Sequence, residues 1–140
     1  MTAPPWPRPD PAVADDARFW SYVAAGELRL QRCAACGTFR HPPRPVCARC
    51  GATGAEWVPS PGTGEVWSYT VVHPPTLPAF AGRTPYGAVV VRLDEGVFMV
   101  TNLVECPVEE LAAGGRVELA ITEVEPGLAL PLFRRRARDS

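Results

Sequence analysis

Five cysteines and two histidines are the side chains of this 140-residue chain best suited to hold a metal or attack a substrate. Four of the cysteines form two Cys-x-x-Cys pairs, Cys33 with Cys36 and Cys47 with Cys50, each followed by a glycine, Gly37 and Gly51. Such a turn can aim both sulfurs at one point, and glycine lets the backbone curl behind them. Two facing turns supply four thiolates in a tetrahedron, the geometry of a closed structural zinc site. Iron fits the same four sulfurs, and two disulfides are the remaining alternative. A four-cysteine site has no open coordination position, so its metal folds the segment and does no chemistry. His41 lies inside the same loop and could replace a sulfur, but four cysteines make it redundant.

The rest of the inventory offers little catalysis. Nucleophilic catalysis needs a nucleophile beside a base that a third group orients, and no such set stands out. Cys106, ahead of Pro107, reads as a small packed residue. His73 ends a strand before two prolines and is a candidate ligand contact. All 14 basic residues are arginine, so no lysine amine is present for Schiff-base chemistry. Glu109 and Glu110 read as a helix start, and Gly62-Thr63-Gly64 is too short for a phosphate loop. A net charge of -1 gives no global pull to nucleic acid or membranes, and no apolar run approaches a membrane span. With no signal-peptide pattern, the expected location is the cytoplasm, where thiols stay reduced.

The elements that must position these residues are mainly β. Hydrophobic residues make up 46%, enough for a core, and 17 prolines favour extended segments and turns over helix. Residues 1–11 read as a disordered or extended lead-in. Residues 12–26 read as a helix, with Asp10 as cap, Pro11 at the first position and Gly26 as the stop. Phe19, Trp20 and Val23 share one face, which packs on its own domain or docks on a partner. Residues 27–60 form a zinc ribbon. In its first strand Leu28 and Leu30 face one way, Arg29 and Gln31 the other. Its second strand spans 55–59, with Trp57 shielding the metal site.

Residues 61–135 carry five strands: 62–73, 86–93, 97–103, 116–124 and 128–134. Asp94-Glu95-Gly96 is a tight turn, and one helical turn lies within 107–113. That order is that of an OB-fold, a small Greek-key barrel. The loop from Pro74 to Pro85 is proline-stiffened, so it loses little entropy on binding, and Leu77 and Phe80 are its contact candidates. Arg29, Arg32, Arg40, Arg44 and Arg49 fall between residues 29 and 50, where no acid does. They offset the charge of a metal tetrathiolate, or some, Arg40 and Arg44 among them, meet ligand phosphates or a partner's acids.

The chain resembles one bacterial and archaeal family along nearly its whole length. The resemblance is carried by Phe19-Trp20, by Gly26 to Cys33, by Cys36-Gly37 and by Pro42 to Cys47. It continues through Cys50-Gly51, Glu56-Trp57, Gly62-Thr63-Gly64, Ser68 to His73, Pro78-Ala79-Phe80, Thr101-Asn102-Leu103 and Leu130 to Phe133. Members of that family, long catalogued as a domain of unknown function, join a rubredoxin-like zinc ribbon to a C-terminal OB-fold associated with acyl-CoA metabolism.

The resemblance implies a non-catalytic subunit. Its partner would be a thiolase-fold enzyme: a thiolase, or an aldolase that shortens steroid side chains by retro-aldol cleavage of a CoA thioester. The partner would supply the catalytic residues. This chain would support the partner's dimer in a heterotetramer and help form the acyl-CoA channel, in some cases beside a hydratase. The arginine-rich tail, Arg134 to Arg138, departs from the family pattern. Two other classes stay open: a single-strand nucleic-acid binder, which needs exposed aromatics in a basic groove, and a rubredoxin-like iron electron carrier.

Overall fold

The computed structural model describes residues 6–74, 77–80 and 82–136. Helix α1 spans Ala14–Ala24 and starts later than the sequence suggests. Asp10 does not cap it. The Asp10 carboxylate accepts the Ala12 N–H at 2.9 Å and its carbonyl accepts the Val13 N–H, which makes a tight turn, and the helix begins only beyond that turn. The stop is as expected. Gly26 sits at φ +87°, its N–H reaches the Val23 carbonyl, and the Glu27 N–H reaches that of Tyr22. This is a Schellman closure, which favours glycine at the left-handed position. Residues 6–10, part of the expected lead-in, lack regular structure but are tied down: Arg8 pairs with Glu125 at 2.8 Å.

The ribbon has three strands, β1 (Arg29–Cys33), β2 (Phe39–Arg40) and β3 (Ala55–Pro59), in the order β2-β1-β3. The C-terminal sheet has six: β4 (Thr63–Val72), β5 (Tyr86–Leu93), β6 (Phe98–Thr101), β7 (Leu103–Val104), β8 (Arg116–Glu125) and β9 (Leu128–Arg135). Their order is β6-β5-β4-β8-β9-β7. The third expected strand is thus two. Before Asn102 the chain pairs antiparallel with β5; after it, parallel with β9. One stretch therefore stands at both edges, which wraps the sheet in the manner of an OB-fold although no single strand closes the ladder. Asn102 is the crossing point: its side-chain amide donates to the Gly87 carbonyl, and its own carbonyl accepts the Phe133 N–H. The expected helical turn is a short 3-10 turn, Val108–Glu110. Arg134 and Arg135, read as the start of a tail, lie in β9 and pair with Glu118 and Glu110; residues 137–140 lie outside the described residues.

Helix, ribbon and barrel share one core. Phe19 and Val23 of α1 and Leu28 and Leu30 of the ribbon are continuous with Val66, Val89, Val91, Leu93, Val117 and Phe133 of the barrel. The helix face packs on its own domain through Phe19, which is 4% exposed. Trp20 is half-buried, edge-on to Phe19. Gly64 shows how tightly the sheet closes. A side chain there would strike the Arg92 backbone on β5.

Because Phe19 is a core residue, Phe19→Ala should destabilise the isolated chain by about 3 kcal/mol. Urea unfolding of the metal-loaded protein measures this; an unchanged midpoint would return the ring to a docking role.

Candidate metal centre

The two knuckles are built alike. Cys33 N–H donates to the Thr38 carbonyl and Gly37 N–H to that of Cys33; Cys47 N–H donates to Ala52 and Gly51 N–H to Cys47. Each turn closes on a left-handed glycine, Gly37 at φ +76° and Gly51 at φ +78°, where a side chain would be strained. The repeated bonding aims the sulfurs inward in both turns.

All four Sγ atoms lie within 4.8 Å of one another. Cys33 and Cys50 sulfurs are 3.6 Å apart, and those of Cys36 and Cys47 are 3.7 Å apart. Sulfurs about 2.3 Å from a central tetrahedral ion would stand about 3.8 Å apart, so the cysteines are placed to hold a metal. A disulfide needs about 2.05 Å, and all four are free thiols.

Electrostatics point the same way. The Cys36 and Ala35 backbone amides lower Cys33, and the Thr38 hydroxyl, 3.2 Å from its sulfur, holds Cys36 down at about 6. Cys50 goes the other way. The Ala52 amide favours its thiolate, but the Cys33 sulfur and burial outweigh that and push it up to about 11. Some thiolates form readily, but the full set needs a cation in the middle.

The other expected site residues scatter. Arg40 is not on the surface to meet a phosphate. It is 8% exposed, and its Nε donates to Gln31 Oε1 at 3.2 Å and to the Arg44 carbonyl at 2.9 Å. Gln31, on the face of β1 opposite Leu30, is 3% exposed, because the knuckle loop folds over that side. Its carboxamide oxygen also accepts the Arg44 N–H at 2.8 Å. Strand alternation gave no hint of this hub. The Arg44 side chain is exposed. Arg29 stacks over Tyr22 and reaches Glu27, and Arg32 lies over Phe39.

His41 is half-buried with its ring 5.2 Å from that of Phe19, and burial pushes it down to about 4, so it is neutral at neutral pH. Trp57, expected over the sulfurs, stands against Tyr22 of the helix. His73 and Leu77 are exposed. Phe80 is turned back onto its own chain, between Trp6 and Tyr86; Pro75, Thr76 and Ala81 of the same loop lie outside the described residues. Cys106 is half-buried against the core, as expected of a packed thiol.

Known proteins align with this arrangement. A family profile described as the ChsH2 rubredoxin-like zinc ribbon domain matches residues 20–56, and one described as the ChsH2 C-terminal OB-fold domain matches residues 57–122. A "Probable enoyl-CoA hydratase alpha subunit" of Thermomonospora curvata is 46% identical over 129 residues, 91% of this chain and 40% of that protein. The "3-oxo-4,17-pregnadiene-20-carboxyl-CoA hydratase alpha subunit" of Mycobacterium tuberculosis is 43% identical over 90 residues, 64% of this chain and 28% of that one. The chain thus spans well under half the length of these two curated relatives. A solved structure titled "Ltp2-ChsH2(DUF35) aldolase" contains a chain that superposes with a TM-score of 0.80 at 42% identity, covering 90% of this chain and 98% of that one. With both profiles matched in series and nearly the whole of that solved chain reproduced, the protein belongs to the DUF35 family, as a ChsH2-type rubredoxin-like zinc ribbon joined to a C-terminal OB-fold.

Proposed function

We propose that this chain is a non-catalytic, zinc-bearing accessory subunit of a thiolase-fold enzyme that acts on an acyl-CoA. The reaction class we favour is retro-aldol cleavage in steroid side-chain degradation. The subunit stabilises the partner's dimer in a heterotetramer, lines part of the acyl-CoA channel and works in the cytoplasm, in some assemblies beside a hydratase. Support for the reaction class comes from what similar proteins are called, an aldolase assembly and a hydratase subunit for a pregnadiene carboxyl-CoA. Zinc is favoured over iron by the match to a zinc-ribbon family.

The observation that carries the accessory role is an apolar patch on the outside of the barrel. Trp67, at the bulge of β4, is 53% exposed, and its ring lies 5.5 Å from that of Phe98 on β6. Val100, two residues along the same face of β6, is 75% exposed. Clustered aromatics of this kind mark protein contacts, where a few buried anchors dominate affinity. Single-stranded nucleic acid would also use stacked aromatics, but it needs free cations beside them. The arginine over Trp67, Arg92, already faces Glu65 at 4.0 Å, and the net charge is -1.

Three outcomes test the reading. The pair of substitutions Trp67→Ser and Phe98→Ser should weaken binding to the thiolase-fold partner about a hundredfold, as loss of anchor residues does, with little change in the isolated chain's melting. Assembly at unchanged affinity, or acyl-CoA cleavage by this chain alone, would sink the proposal. The purified protein should be colourless with one zinc per chain by elemental analysis, and Cys36→Ser or Cys47→Ser should release the ion and unfold the ribbon. Visible thiolate-to-iron absorbance would instead make it an iron protein.

A further inference from the structure

We infer that the cavity between β5, the chain after Thr101 and the Pro78–Phe80 turn is a binding site for a small anionic amphiphile, with the apolar body under Trp6 and the anionic end at Arg83. The inference stands on this chain alone and does not depend on the partner assigned above. The cavity holds about 540 Å³, within the range of about 300–1,000 Å³ usual for small-molecule sites. Its walls are largely apolar: Trp6, Phe80, Tyr86 and Val108 among them. The aromatic side is built as a stack, with Phe80 5.3 Å from Trp6 and 5.4 Å from Tyr86.

The polar groups select the ligand. Asn102 and Thr101 also line the cavity, but both are spent inside the fold. The Asn102 amide donates to the Gly87 carbonyl and the Thr101 hydroxyl to that of Pro131. Arg83 is the charged group among the lining residues. Trp6 Nε1 is buried with no hydrogen-bond partner among the described residues. Arg83 is exposed at the mouth, its guanidinium carbon 4.5 Å from the centre of the Trp6 ring, with no carboxylate in ion-pair range among the described residues.

The Arg83 cation, stacked on the Trp6 face and without a carboxylate partner among the described residues, favours a negative group. A bare anion would leave the apolar walls unused, and a neutral lipid would leave Arg83 unpaired. Trp6 belongs to the segment that Arg8 fastens to Glu125, so one wall is a strap anchored on the β8–β9 turn.

The test uses the full chain with its metal in place, and decanoate as probe. Decanamide serves as the neutral match and inorganic phosphate as the bare anion. Calorimetry should find one decanoate per chain, bound about fivefold more tightly than decanamide, the size of an exposed charge contact. Phosphate should not saturate. Amide shifts in NMR should centre on Gly87, Ala88 and Leu103. Arg83→Met should erase the preference for decanoate and leave decanamide binding alone. Val108→Trp should fill the cavity and abolish both, and Trp6→Ala, on the strap and outside the core, should weaken both if the first variant fails to fold. No saturable decanoate binding, shifts centred elsewhere, or an Arg83→Met variant that keeps the preference would overturn the inference.

Discussion

Four sulfur atoms held within 4.8 Å of one another are the constraint from which the N-terminal half follows. Thiolates at that spacing repel, and only a cation at the centre makes the full set favourable. The knuckle loop lacks a large apolar core of its own. Among residues 34–54 the only buried positions are Arg40 and Cys47. Its shape therefore rests on the four-cysteine set, on two left-handed glycines and on the Gln31 carboxamide that gathers Arg40 and Arg44.

The ribbon is not a separate bead on the barrel. Leu28 and Leu30 enter the same core as Val89, Val91 and Phe133, and Phe19 and Val23 of the helix fill the remaining side. The four-cysteine set and the barrel packing are linked through β1, which presents Leu30 to the core and ends in Cys33. The linkage joins helix, ribbon and barrel through one core.

That surface divides the aromatics by role. Phe19 is buried, Trp57 lies against the helix, and Trp6, Phe80 and Tyr86 form one wall of a cavity. Trp67 and Phe98 remain outside, exposed on β4 and β6. The division separates a surface suited to a large neighbour from a hollow suited to a small molecule.

The cysteine spacing, the glycines behind it and the alternation of the later strands were enough to read a metal ribbon followed by a five-strand barrel, because those signals are local. Strands 86–93 and 55–59 match β5 and β3, since turns bound them in the sequence itself. What depends on distant neighbours was not legible. Alternation put Gln31 opposite Leu30 but carried no sign of the loop that buries it; Asp10 looked like a cap, yet its carboxylate closed an earlier turn; one strand split at Asn102 because it meets different partners on either side. Phe19, Phe80 and Trp67 are the same kind of residue in the sequence, and only the tertiary structure decided which is buried, which lines a cavity and which faces outward. The physical reason is that composition and spacing fix what a residue can do, while burial is fixed by whichever surface the folded chain brings against it.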